Sequence, residues 1–242
     1  NLSSANSINI GRLIPQSVYY FYAWSRIAGG TGKSPVLFSI PSGNFGDMMG
    51  GLLAKKMGLP AEKFIIAVNE NDEFPRFLDS GIYEKVEPSK DCPSSAMNVG
   101  HPSNLSRVVD YYGGVMDEKG VIFKAPQMER MREELSSYSI SDTATQKTIS
   151  QVYKEYNLLL EPHGAVGWAA LQHYLEQHNT GEPSIVLETA HPAKFPGLIS
   201  ELLDIEPDLP PEFINLDARE ERFEIIENKY SLFRRFLLDM QG

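Results

Sequence analysis

The feature that most limits the fold is a short apolar run, Pro35-Val-Leu-Phe-Ser-Ile40, followed at once by a glycine-bearing turn and a helical stretch. A run without polar alternation is what a strand buried on both faces requires, and such strands belong to parallel sheets covered by helices. Residues 48–57 have helical character, and Gly58 and Pro60 end them. Phe64-Ile-Ile-Ala-Val68 is a second buried-strand run, starting roughly 28 residues after Val36, the size of one βαβ unit with a right-handed crossover. Ser184-Ile-Val-Leu-Glu188, opened by Pro183, is a third.

Helical signals fill the intervals. Residues 15–27 are rich in aromatics and are stopped by Gly29 and Gly30, and residues 73–78 continue as a helix after the second strand. Gln127–Ser136 carries Met128, Met131 and Leu135 at helical spacing; Ser141 or Asp142 caps a helix with Ile149, Val152 and Tyr156 on one face; another runs from about Gly164 to Gln177. Residues 86–114 read as irregular. The expected architecture is α/β, a twisted, mostly parallel sheet flanked by helices. Residues 1–204 are expected to form the α/β domain, with a helical and irregular insert at about 86–160. Residues 205–242 are expected to form a proline-rich linker and a charged amphipathic helix carrying Phe223, Ile226, Tyr230, Phe233 and Leu237.

Composition narrows the function. With 32 acidic against 22 basic residues the net charge is −10, which disfavours nucleic acid, and no basic cluster offers a local exception. A small anion remains compatible, because backbone N–H groups and one guanidinium can govern a cleft locally. The 12 Phe, 11 Tyr and 2 Trp argue against disorder. Cys92 is the single cysteine, so neither an internal disulfide nor a thiolate metal cluster can form. There is no apolar run of membrane-spanning length and no signal peptide. A cytoplasmic, soluble protein is expected, and the Asn104 and Asn1 sequons carry little weight in that setting.

Three polar segments carry the chemistry. Ser42-Gly-Asn-Phe-Gly-Asp47 lies between a strand and a helix, where glycines allow close approach and free N–H groups favour a phosphate. Alone, it is equally a plain turn with Asn44 or Asp47 as cap. Thr189-Ala-His-Pro-Ala-Lys-Phe195 leaves the third strand and must open at the same sheet edge if that strand is parallel. It offers a hydroxyl, with His191 and Lys194 as acid, base or anion contacts, or simply as surface residues. Ser4-Ala-Asn-Ser-Ile-Asn9 with Arg12 supplies amides, a hydroxyl and one guanidinium able to grip a phosphate at two points, or a capped helix start with a surface arginine. Gly32-Lys-Ser34 lacks the first glycine of a phosphate-binding loop and precedes a strand. The acidic stretch Glu70, Asn71, Asp72, Glu73 lacks calcium-loop spacing. Both read as solvated loops.

The order of four segments is what is similar to a known family. Asn6-Ser-Ile-Asn9 with Arg12 and Gln16, then Ser42–Asp47, then Leu160-Glu-Pro-His-Gly-Ala-Val-Gly167, then Thr189–Phe195, resembles the threonine synthases over roughly residues 1–200. Met97–Asn104 resembles a loop of the longer, microbial type. The resemblance implies the C-terminal portion of a fold type II pyridoxal-phosphate enzyme, with a tryptophan synthase beta-like architecture incomplete without the N-terminal part of the same protein. It implies that Gly43, Asn44, Phe45, Gly46 and Asp47 cradle the phosphate of pyridoxal 5'-phosphate and that Thr189 bonds its pyridine nitrogen. It implies that Asn6, Ser7 and Arg12 hold the phosphate of O-phospho-L-homoserine, which reacts with water to give L-threonine and phosphate. His191 and Lys194 match a motif without an assigned role.

One departure stands out. In that family the lysine that anchors the cofactor lies in a Phe-Lys-Asp-like motif upstream of the first matching segment, and no Phe-Lys-Asp occurs here. The expectation is therefore a fragment with no catalytic residue of its own and no turnover. Two other readings are another fold type II enzyme, a dehydratase or cysteine synthase relative, and a non-catalytic phosphometabolite-binding module.

Overall fold

A computed structural model of the chain describes residues 6–27, 34–216 and 218–240. The expected helix stop at Gly29 and Gly30, the Gly32-Lys33 pair, Asn1 and Ser4 lie outside the described residues. Two compact units form, Asn1–Pro207 and Asp208–Gly242.

The core of the first unit is a parallel sheet. Strand β1 (Val36–Pro41) pairs with β2 (Ala61–Val68) on one side and with β6 (Ser184–Val186) on the other, both in parallel register. Every residue of β1 is buried, which is why its sequence is an unbroken apolar run. Between β1 and β2 the chain crosses through helix α2 (Gly46–Lys56). A fourth strand, β5 (Leu135–Ser139), extends the sheet to the order β5-β2-β1-β6. Here the expected helix at Gln127–Ser136 is corrected: helix α5 (Met128–Glu134) stops at Glu134 and Leu135 turns extended. Leu-Ser-Ser-Tyr-Ser lacks the apolar signature because it is the outer strand of the order, and its hydroxyls serve the neighbour. Ser137 Oγ donates to the Ile66 carbonyl at 2.9 Å and Ser139 Oγ to the Asn69 carbonyl at 2.8 Å.

Helices cover the sheet. Helix α1 (Ile10–Ile27) runs through Pro15 and packs on α2, where Gly51 lies so close to Tyr20 that an added Cβ would sit 2.8 Å from its ring. The rings of Tyr20, Phe38 and Phe64 pack in tilted and edge-to-face contacts with centroids 5.1 to 6.1 Å apart. Helix α3 (Glu73–Ser80) follows β2. Stretch 86–114, expected to be irregular, holds a 3-10 turn (Ser95–Met97) and helix α4 (Leu105–Tyr111), whose Leu105, Val108 and Val109 are buried. A short antiparallel pair, β3 (Val115–Met116) and β4 (Ile122–Lys124), comes next.

Helix α6 (Asp142–Tyr156) is capped as expected, Ser141 accepting from the Ala144 N–H. Helix α7 (Pro162–Gln177) lies across β1, close enough for Ser39 Oγ to donate to the Gly167 carbonyl at 2.6 Å. Helix α8 (Pro196–Leu203), unforeseen in the sequence, buries Ile199. The second unit contains a 3-10 turn (Pro211–Phe213) and helix α9 (Tyr230–Asp239). Phe223 and Ile226 therefore precede the helix expected to carry them. No helix among the described residues is long and apolar enough to cross a membrane.

Candidate active site

The carboxyl ends of β1 and β6 point the same way because the strands are parallel. From β1 the chain enters Ser42–Phe45, and from β6 it reaches Thr189. Ligands collect at this edge of an open α/β sheet. A cleft of about 200 Å³ opens there, lined by Gly43, Asn44, Phe45, Gly46 and Asp47 from the glycine loop, Ser7 and Arg12 from the start of the chain, and Thr189. Three segments far apart in sequence thus meet. His191 and Lys194 are not among the lining residues. His191 Nδ1 accepts from the Ala193 N–H at 3.1 Å and caps a 3-10 turn, and Lys194 is exposed.

The glycine loop has an anion-binding shape. Phe45 takes the N-cap position of α2 in the left-handed region (φ 59°), and no side chain caps the helix. The alternative of a plain capped turn fails on geometry: neither Asn44 nor Asp47 caps. Asn44 Oδ1 instead accepts from the Ser103 N–H at 3.1 Å. The first-turn N–H groups and the positive end of the helix dipole thus lie in the cleft beside Arg12. Phe45 tolerates its backbone because its ring is buried against Phe74 at 4.9 Å. Gly43 is needed for a different reason: a Cβ there would come 2.5 Å from the Ala96 carbonyl oxygen.

Asp47 sits in the first turn, and Tyr20 donates its hydroxyl to Asp47 Oδ1 at 3.1 Å and to the Asp47 carbonyl at 2.9 Å. Burial raises the Asp47 pKa to about 6, and the Tyr20 bond opposes the rise. This carboxyl therefore takes up a proton at higher pH than an ordinary aspartate does.

Asn6 Oδ1 accepts from the Ile8 N–H at 3.0 Å and closes the turn on which Ser7 stands. That turn is held by residues to which sequence reasoning assigned no role. Asn104, fully buried, donates from Nδ2 to the Ser7 carbonyl at 3.2 Å and to the Asn44 carbonyl at 2.8 Å, joining the two polar loops. Arg107 bonds Asn104 Oδ1 through Nη1 and the Ile8 carbonyl through Nη2 at 2.7 Å. The Asn104 sequon is therefore a buried structural amide.

The acidic stretch expected to be solvated is partly buried instead. Asn71 and Glu73 are each 1% exposed. Asn69 and Asn71 bond each other, and Asn98 and the Lys90 carbonyl complete the network. The burial of the two asparagines depends on these partners, which lie about 19 to 29 residues away.

The Leu160–Gly167 segment adds a buried pair. Glu161 caps α7 by accepting from the His163 and Gly164 N–H groups at 2.8 and 2.9 Å, and His163 lines the cleft.

Comparison with known proteins agrees with this geometry. A family model described as "Threonine synthase, C-terminal" matches residues 164–237. The chain is 40% identical over 211 residues to threonine synthase of Escherichia coli, covering 87% of this chain and 45% of that protein. Its fold superposes on the crystal structure of yeast threonine synthase with a TM-score of 0.83 at 30% identity, covering 100% of this chain and 54% of that one. The PLP-bound threonine synthase of Brucella melitensis gives 0.82 at 33% identity, with 98% and 52% covered. The chain spans about half the length of the relatives it matches. By sequence and by fold, it belongs to the threonine synthase family.

Proposed function

We propose that the protein containing this chain is a threonine synthase that converts O-phospho-L-homoserine and water to L-threonine and phosphate with pyridoxal 5'-phosphate, the last step of threonine biosynthesis. The observation that carries the reading is the meeting, in one cleft, of an uncapped helix N-terminus, the Arg12 guanidinium and the Thr189 hydroxyl.

The residues present suit that cofactor. A phosphate needs donors without a competing carboxylate cap, which the start of α2 supplies. Backbone N–H groups of Gly43, Asn44, Phe45, Gly46 and Asp47 would hold the cofactor phosphate, and the Thr189 hydroxyl would meet the ring nitrogen. Ser7 and Arg12, on the turn closed by Asn6, would hold the substrate phosphate. When bound, the cofactor supplies a conjugated ring that accepts electron density from the substrate, and a hydroxyl partner in place of a carboxylate leaves its nitrogen largely unprotonated. Asp47, whose carboxyl is engaged by the Tyr20 hydroxyl and does not cap α2, leaves the helix N-terminus to the phosphate.

The proton transfers are assigned to a lysine outside these 242 residues, since the chain holds no Phe-Lys-Asp and spans about half of its relatives. Alone, the chain is expected to give no turnover. The remaining half is its natural partner, and the exposed apolar stripe of α1, Ile10, Ile14, Val18 and Tyr22, is the surface offered to it. A cytoplasmic location agrees with the single, buried cysteine.

The deciding experiment presents the full-length protein with phosphohomoserine, serine and threonine in turn. Release of phosphate with L-threonine from the first is expected, and Arg12→Leu should raise KM for phosphohomoserine at least about 10-fold, the loss of one charge-assisted contact. Deamination of serine or threonine with no reaction of phosphohomoserine would favour the dehydratase reading instead.

A further inference from the structure

Behind the glycine loop lies a glutamate–histidine pair without a role in the reading above. Glu161 is 0% exposed and His163 3%. His163 Nδ1 bonds Glu161 Oε2, and His163 Nε2 lies 3.1 Å from the Ala96 amide nitrogen. An amide can only donate, so Nε2 must present its lone pair and the imidazole proton must sit on Nδ1, directed at the carboxylate. Glu161 thus selects the tautomer that allows His163 to hold Ala96. The Phe195 ring, 5.4 Å from the imidazole centroid, closes the other side. Ala96 in turn presses on the phosphate loop, its carbonyl oxygen occupying the space beside Gly43 where a side chain would otherwise lie.

We propose that Glu161 and His163 are positioning residues of the cofactor-phosphate loop: the carboxylate fixes the imidazole, and the imidazole clamps segment 94–98 over Gly43. Both ring nitrogens are engaged, so the histidine holds shape and moves no proton. The proposal rests on the reading of Gly43–Asp47 as a phosphate cradle.

Two variants of the full-length protein test it. Glu161→Gln must set its new NH2 against the Gly164 N–H or against the His163 N–H and Nδ1–H, so the side chain can no longer make all three contacts that fix the imidazole. His163→Asn places an amide where Nδ1 stood, keeps the cap of α7, and removes only the acceptor for Ala96. Deuterium exchange of segment 94–98 is read together with dissociation constants for pyridoxal phosphate and for pyridoxal, which lacks the phosphate. Exchange at 94–98 should speed at least about 10-fold in both variants, since that loop loses its tether. The pyridoxal phosphate constant should rise about 10-fold, equivalent to 1.4 kcal/mol, with that for pyridoxal unchanged. If Glu161→Gln fails to fold, His163→Asn decides. Unchanged exchange at 94–98 in a protein that still prefers pyridoxal phosphate overturns this proposal alone, as does equal weakening of both ligands. A wild-type protein that binds the two ligands equally overturns it together with the functional reading.

Discussion

Glu73 opens helix α3 with a carboxyl group that is 1% exposed, and among the described residues its Oε2 has no hydrogen-bond partner. Burial raises its pKa from 4.5 to about 7; its own backbone N–H opposes the rise, Asp72 adds to it and Arg76 opposes it. The sign follows from linkage: the unfolded chain releases this proton near 4.5 and the folded chain only near 7, so the stabilisation is complete below 4.5 and is lost as pH climbs to 7. At 1.36 kcal/mol per pH unit, the interval corresponds to roughly 3 kcal/mol of stability lost by pH 8. Glu73→Gln removes the titration while keeping the shape. Urea unfolding of parent and variant, compared at pH 5 and pH 8, should show the variant gaining roughly 2 to 3 kcal/mol relative to the parent across that span. Asp47 and Glu188, raised to about 6 and about 7 by burial, drift in the same direction in both proteins and cancel in the comparison. A parent–variant gap that does not change between the two pH values would refute the argument, showing that water or a rearranged partner already solvates the buried carboxylate.

Gly43→Ala must displace Ala96, whose carbonyl oxygen lies 2.5 Å from the added methyl group, so cofactor affinity measured by fluorescence titration should fall at least about 10-fold. Asn104→Ala removes the amide shared by the Ser7 and Asn44 carbonyls and leaves Arg107 without its side-chain acceptor. Thermal unfolding should register a loss of about 2 to 3 kcal/mol, with KM for the phosphorylated substrate raised in the full-length protein. Gly51→Val drives a branched side chain into the Tyr20 ring at the α1–α2 contact and should cost about 2 to 3 kcal/mol in urea unfolding. Tyr20→Phe deletes the hydroxyl bonded to Asp47, a bond that lowers the Asp47 pKa, so in the variant that carboxyl should titrate at higher pH by carbon-13 NMR.

The elements that could be read before any coordinates are those whose cause is local. Buried strands β1 and β2 announce themselves as unbroken apolar runs, the start of α6 by a cap at Ser141 or Asp142, and the glycine loop by its place between a strand and a helix. The ordered segments from Asn6 to Phe195 were enough to name the family, because side-chain identity at spaced positions survives in one dimension.

Other features depended on partners distant in sequence. Leu135–Ser139 becomes a strand because β2 offers it an edge, although its serines have no apolar pattern to show. Asn104 is buried because the carbonyls of Ser7, 97 residues away, and Asn44 accept its amide protons, and His163 is buried because Ala96, 67 residues away, donates its N–H to Nε2. A polar side chain reads as surface until its partner is known, since burial without a hydrogen bond is costly and uncommon. Periodicity reports only which face a residue takes within its own helix or strand. Which loops share a rim, and which buried polar groups brace it, was decided by the parallel packing of β1 and β6 and by the folding of residues 94–107 over the glycine loop.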